Sequence, residues 1–446
     1  MTLGGAISDR VTNLSRRADR WLGSTGRKGV LAIADRFLVA GTNFLTLVVV
    51  GRAAGVDALG IFALAWTVLL AVNVLQEALV TSPYTVFRGR HSSPRATERY
   101  AGTALLMNAA LSGLGVLVCV GVAVAMSWTG LGEPMARNAA WCLALALPAS
   151  ALREFGRKFL FARLDAAPAL MLDLAATVLQ LATVGLLWWA GWLTPATALA
   201  AIALGTGIPA LVWLVAERGA FALPDRSGAV RETVRHMRFA RWLAAAQLSD
   251  LAVTHGVVWW VVAVAGTTAA GTFSAANSIV LVLNPLVLGI GSVLLPRAAL
   301  AQHAHGPREV ARIVWKVTKL LGAAAGLVAL LVALAGSFVV EALYALPPTN
   351  EIAVAVALLA CASFLAALAF GADNGLMVID RQDVNLLASL VGLVVTFVGA
   401  AVLLPLLGIV GAALAVAVGT AFNALWQMVA FARLAPVRTK RKGATG

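Results

Sequence analysis

Gly55-Val-Asp-Ala-Leu-Gly60-Ile-Phe62-Ala-Leu-Ala65 decides the fold, because it recurs as Gly266-Thr-Thr-Ala-Ala-Gly271-Thr-Phe273-Ser-Ala-Ala276, 211 positions later (55 to 266). At that one offset Gly55 meets Gly266, Gly60 meets Gly271 and Phe62 meets Phe273. Leu70 then meets Leu281 and Asn73 meets Asn284, with no gap opened. Each copy is a short glycine-bearing turn feeding an apolar helix. An in-register repeat of about half the chain makes the protein two similar halves.

The surrounding composition sets the solvent. Of 446 residues, 61% are hydrophobic and 12% are charged, against about 45–50% and 25% in soluble domains. Twelve apolar stretches follow residue 29, each close to the roughly 20 residues that cross a bilayer as a helix. They lie near 30–50, 59–80, 101–127, 139–160, 168–190, 197–216, 242–264, 271–294, 313–338, 352–371, 384–405 and 408–431. The fold class is therefore an all-α polytopic membrane protein. Its twelve transmembrane helices form two six-helix lobes, 30–217 and 242–433. Six spans per lobe give both halves the same orientation, so a pseudo-twofold axis along the membrane normal relates them as a parallel repeat.

The net charge of +14 sits in the loops, which excludes a nucleic-acid reading and sets topology instead. Arg88, Arg90, Arg95 and Arg99, the linker 218–241, and Arg308, Arg312, Lys316 and Lys319 all follow even-numbered spans. The tail 434–446 adds Arg438, Lys440, Arg441 and Lys442. Both termini are thus expected in the cytoplasm, with Trp128, Trp188, Trp189, Trp192, Trp259 and Trp260 forming an aromatic belt on the other side. Residues 1–29 read as a basic amphipathic segment on the cytoplasmic face and not as a signal peptide. Cys119, Cys142 and Cys361 lie inside apolar segments and read as small core residues.

No catalytic or metal-binding set is legible: there is no phosphate-binding Gly-rich loop with its Lys, no HExxH, no CxxC and no serine elbow. What remains is polar residues inside spans. Asp35, Thr42, Asn43 and Thr46 share a face of span one, bordered by Arg36. Asn73, Glu77 and Thr81 step by four along span two. Span seven carries Gln247, Asp250 and Thr254, and span eight Ser274, Asn277 and Asn284. A charge in hydrocarbon costs at least about 2.5–3.5 kcal/mol, so these faces are expected to line a polar cavity between the lobes. Glu154 and Lys158, at i and i+4 in span four, are expected to pair, which would leave Arg153 and Arg157 as freer positive charges. Asp35 beside Arg36 reads equally as a local pair near the cytoplasmic edge.

The run Gly41-Thr-Asn-Phe44 to Gly55, Leu59-Gly60-Ile-Phe62, Ala78-Leu-Val-Thr-Ser82-Pro83-Tyr and Leu294-Leu-Pro296-Arg297 resembles polysaccharide flippases. These are the Wzx-type members of the multidrug/oligosaccharidyl-lipid/polysaccharide exporter superfamily. The resemblance implies a V-shaped pair of lobes in a bacterial cytoplasmic membrane. It implies movement of undecaprenyl-diphosphate-linked oligosaccharide repeat units by alternating access, with no enzymatic step and no cofactor beyond an H+ or Na+ gradient. The implied partners are that lipid-linked substrate, membrane lipids and other glycan-assembly membrane proteins. Substrate-cavity candidates are Arg36, Asn43, Asn73, Arg153, Arg157, Asn277 and Asn284; ion-coupling candidates are Asp35, Glu77 and Asp250. An ion-coupled drug or cation antiporter of the same superfamily stays open, since such exporters place a carboxylate in span one, where Asp35 stands.

Overall fold

The computed structural model describes residues 34–88, 93–130, 133–163, 165–281, 287, 307–379 and 381–437. Asn284, the motif 294–297, residues 1–29 and the end of the basic tail lie outside the described residues. Among the described residues, nine continuous helical stretches are long and apolar enough to cross a membrane. Two of these contain a sharp corner, at Gly266 and Gly408, and each is two rods. Pro134–Ala162 supplies a further rod despite its charged last third.

The twelve rods are α1 (Ala34–Ala54), α2 (Val56–Phe87), α3 (Pro94–Thr129), α4 (Pro134–Ala162), α5 (Ala166–Trp189) and α6 (Pro195–Ala216). Then come α7 (226–265), α8 (267–280), α9 (Pro307–Tyr344), α10 (Asn350–Val378), α11 (382–407) and α12 (409–437). Helix starts are written locally: Ser93, Asp225 and Thr349 each accept the backbone N–H three residues on, from Ala96, Gly228 and Ile352. Thr194 and Thr197 cap reciprocally at the start of α6, where Pro195 occupies a position whose N–H has no helical partner. The segment after residue 218 is mostly helix, since α7 already begins at Arg226.

Every positive-φ residue among those described stands at a turn following an odd-numbered helix: Gly55, Gly130, Gly191, Gly266, Ala345 and Gly408. Spanning helices alternate direction, so all six corners lie on one face of the molecule. The α11–α12 corner shows the reversal: Gly399 faces Ala415 and Gly392 faces Asn423, pairs that count outward from 407. The repeat is visible in the backbone itself. Gly55 has φ 89° and ψ 176°, and Gly266 has φ 84° and ψ 178°.

The two copies of the repeat also touch each other. A Cβ on Gly60 would collide with the Thr267 carbonyl oxygen, and one on Gly271 with the Val56 carbonyl oxygen. The same offset relates 60 to 271 and 56 to 267, so the contact is reciprocal about the pseudo-twofold axis. Without side chains at these positions α2 and α8 approach backbone to backbone, which is how helices associate where lipid supplies no hydrophobic drive. Around this seam the Asp57 carboxylate accepts hydrogen bonds from Thr267 and Thr268, and Arg52 donates to the Ala342 carbonyl. At the opposite end, the Tyr100 hydroxyl meets His236 Nε2 at 2.7 Å and Phe87 packs on Phe239, joining α2 and α3 to α7.

Gly60→Val is expected to destabilise this closed arrangement by about 1–3 kcal/mol, the usual cost of overpacking. A cysteine pair at Asp57→Cys and Thr268→Cys should cross-link readily when Gly60 is kept and poorly when Gly60→Val is added. Equal cross-linking in both would dismiss the seam as the contact that holds this face closed.

Candidate functional site

A polar cavity of about 200 Å³ lies within the first lobe. Five helices build it. α1 contributes Arg36, Thr42 and Asn43, and α2 contributes Trp66, Asn73 and Glu77. α4 brings Ser150, Arg153, Glu154 and Arg157; α5 brings Thr177 and Gln180; α6 brings Thr206.

Beneath the cavity runs an ion-pair cluster that joins four helices. Arg157 Nη1 donates to Asp35 Oδ2 at 3.0 Å, and Arg157 also forks onto Glu154 through Nε at 3.1 Å and through Nη2. Arg153 Nη1 donates to Asp173 Oδ1 at 2.9 Å, and Asp173 Oδ2 lies 3.6 Å from Arg157 Nε. Lys158 reaches Glu77 on α2. Asp35 and Asp173 have no exposed surface and Arg157 is 4% exposed. Charges this deep survive only when paired and hydrogen-bonded.

Two expectations are thereby corrected. Glu154 pairs with Arg157 and Lys158 with Glu77, so the i,i+4 pair does not form, and neither Arg153 nor Arg157 is a free charge. Asp35 does not pair locally with Arg36; it turns inward to Arg157, while Arg36 stays exposed on the cavity rim with no ion-pair partner among the described residues. The reason is depth: a carboxylate facing the bundle gains more from a guanidinium on a facing helix than from a neighbour whose side chain points to water.

Polar side chains link the same helices above the cluster. Gln180 Nε2 donates to Thr46 Oγ1 at 2.9 Å, and the hydroxyls of Thr42 and Thr177 meet at 2.9 Å. Asn73 donates to Ser150 Oγ at 3.1 Å, so it is both a cavity wall and an interhelical tie. Gln76, the chain neighbour of Glu77, donates to Asn108 on α3 and to the Ala151 carbonyl. Asp35 Oδ1 and Asp173 Oδ2 are buried and accept no hydrogen bond among the described residues.

The cavity gathers Arg36, Asn43, Asn73, Glu77, Arg153 and Arg157, with Asp35 directly behind it. Asn277 is half-buried on α8 in the other lobe and does not line it. Asp250 lies on α7 with its side chain outside the description, as is the whole of Asn284. Sequence reasoning missed Asp173 and Gln180. The signal for Asp173 was present, as an unaccompanied carboxylate within an apolar span is itself a functional-site flag.

No protein-family model and no curated protein matches this chain. Solved structures do. An inward-facing multidrug resistance MATE family transporter of the MOP superfamily aligns with a TM-score of 0.76 at 13% identity, covering 91% of this chain and 96% of that one. Its outward-facing counterpart gives 0.65 at 14% identity over 92% and 95%. A MOP superfamily transporter from Pyrococcus furiosus Vc1, whose binding pocket is described as having reverse polarity that suggests a different function, gives 0.68 at 14% identity over 93% and 95%. The chain therefore has the MATE transporter fold, an all-helical membrane-protein fold, and these structural neighbours are transporters rather than enzymes.

Removing Arg157 would strand buried Asp35 and leave Glu154 only its 3.9 Å contact with Arg153. Arg157→Ala is expected to lower the unfolding free energy by about 3–5 kcal/mol, as for other broken buried pairs. Arg36→Ala at the rim should leave it within about 0.5 kcal/mol. Detergent-solubilised thermal and denaturant unfolding of both variants checks the contrast, and equal loss in both would refute this division of the arginines.

Proposed function

We propose that the chain is a flippase of lipid-linked oligosaccharides in a bacterial cytoplasmic membrane, working by alternating access for surface polysaccharide synthesis. The observation that carries this reading is the character of the first-lobe cavity. Its wall is rich in amide and hydroxyl groups (Asn43, Asn73, Gln180, Ser150, Thr42, Thr177, Thr206), and its rim holds the guanidinium of Arg36, which has no ion-pair partner among the described residues. Amides and hydroxyls suit sugar hydroxyls, and a guanidinium binds phosphate oxygens bidentately. In this proposal Arg36 meets the carrier diphosphate while the lipid tail stays in the bilayer. Arg153 and Arg157, held by carboxylates, organise the cavity floor and do not grip substrate.

The same cluster supports ion coupling. Four carboxylates (Asp35, Glu77, Glu154, Asp173) face three buried or half-buried cations (Arg153, Arg157, Lys158). A net negative charge at this depth is costly, so one proton or small cation neutralises the set. The unbonded oxygens of Asp35 and Asp173, both beside Arg157, are the place for it. That charge count favours a second reading, an ion-coupled drug or cation antiporter, for which the MATE-type fold is also suitable. Only the cargo differs.

Complementation of a flippase-null strain separates the two. The wild type is expected to restore surface glycan and clear undecaprenyl-linked repeat units from the inner leaflet. Arg36→Ala should reduce the rescue at matched expression, and Asp35→Asn should abolish it. Failure of the wild type to rescue in a strain making the cognate glycan, with dye efflux that collapses in Asp35→Asn, would replace the flippase by the antiporter.

A further inference from the structure

A second groove, of about 400 Å³, lies on the face opposite the six corners, away from the first-lobe cavity. Its walls are the first turns of α3 and of α7, with Arg95, Arg99, Arg231, Asp225 and Glu232 supplying the charges. This volume falls in the range of about 300–1,000 Å³ typical of small-molecule sites.

The groove is built by backbone contacts. Ala222 N–H donates to the Glu98 carbonyl at 3.1 Å, and a Cβ on Gly102 would collide with the Ala222 carbonyl oxygen. The segment before α7 is thus clamped against α3, and Phe221 anchors it among Phe155, Phe159 and Trp213. The walls are held at a fixed spacing before any ligand arrives.

Its carboxylates are already engaged. Asp225 caps α7, accepting from Gly228 N–H at 2.9 Å and from Ser227 Oγ at 2.8 Å, and lies 3.7 Å from Arg99. Glu232 is buried and takes both oxygens to Arg235, the nearer at 2.9 Å. Arg95 and Arg231 have no carboxylate partner among the described residues, and both are exposed on the groove. Two guanidiniums left over in a preformed polar groove specify an anion whose oxygens they can share.

We propose that this groove is a phosphate-binding site, in which one phosphate group bridges Arg95 on α3 and Arg231 on α7. Because the bridge spans these two helices, it reinforces the joint that Tyr100 and His236 already make between them. The phosphate can come from the headgroup of an anionic lipid at the membrane surface or from solution, and the geometry is the same for both. The inference is independent of the cargo assigned to the first-lobe cavity.

The full chain in phosphatidylcholine nanodiscs provides the test, with the thermal unfolding midpoint as readout in two arms. One arm adds inorganic phosphate, with chloride at equal ionic strength as control. The other replaces part of the phosphatidylcholine by phosphatidylglycerol. A rise of several degrees is expected in at least one arm, which identifies the source. R95Q/R231Q should weaken the apparent affinity by more than about tenfold, the loss of two charge-assisted hydrogen-bonding groups. Both substituted arginines are exposed, so the fold itself is not at stake. No rise in either arm, or an undiminished rise in R95Q/R231Q, would overturn the proposal.

Discussion

The whole assembly depends on two glycines that let backbone meet backbone. Gly60 lies on the Thr267 carbonyl and Gly271 on the Val56 carbonyl, so each half of the repeat provides both the bare helix surface and the oxygen it rests on. In lipid, helices gain little by hiding apolar side chains from a solvent that is equally apolar, and close packing of small residues has to do the work. A reciprocal contact of this kind fixes the distance between α2 and α8 and sets their relation near a twofold. The other ten helices are placed by reference to that pair. The cavity of the first lobe exists because α1, α4, α5 and α6 pack around the far side of α2, leaving its polar residues Asn73 and Glu77 turned inward.

That inward face explains the second organising fact, the neutralisation of charge at depth. Arg157 holds Asp35, Glu154 and Asp173 at once, so three helices are tied through a single guanidinium with five donors. A lysine could not serve three carboxylates in the same planar fan. Around this floor, threonine, asparagine and glutamine side chains satisfy one another across helices, and the result is a polar pocket inside an apolar molecule. The groove between α3 and α7 repeats the logic at the surface: carboxylates are consumed first by caps and local arginines, and the remaining guanidiniums define what can bind.

Much of this was legible before the fold was known, because the signals were long or repeated. The offset that matches Gly55 to Gly266 is reproduced to a few degrees in their dihedral angles. Arg36, Thr42 and Asn43 of α1 line one cavity with Asn73 and Glu77 of α2. What the chain did not disclose was partner choice. Spacing along one helix sees only i,i+3 and i,i+4 neighbours, so it joined Glu154 to Lys158, whereas Glu154 takes the other local choice, Arg157 at i+3, and Lys158 reaches across to Glu77 on α2. Nor did the chain disclose the pocket local to the first lobe, where Asp173 of α5 takes part in the charge cluster. Asp173 stands at i−4 and i−7 from Thr177 and Gln180 on α5, a polar face that went unread, and its charge partners lie on α4.

The six left-handed corners carry a mechanical consequence. A single residue at Gly55, Gly266 or Gly408 joins one rod to the next, and at about 3.6 Å of reach per residue there is no slack for the two ends to part. At these three corners the paired rods have to move together, and any widening has to run along the boundaries between pairs. Across Ala216 to Arg226 the connection is longer, and α6 and α7 can part from each other. Motion is therefore shared within those three pairs and released where the chain crosses from α6 to α7.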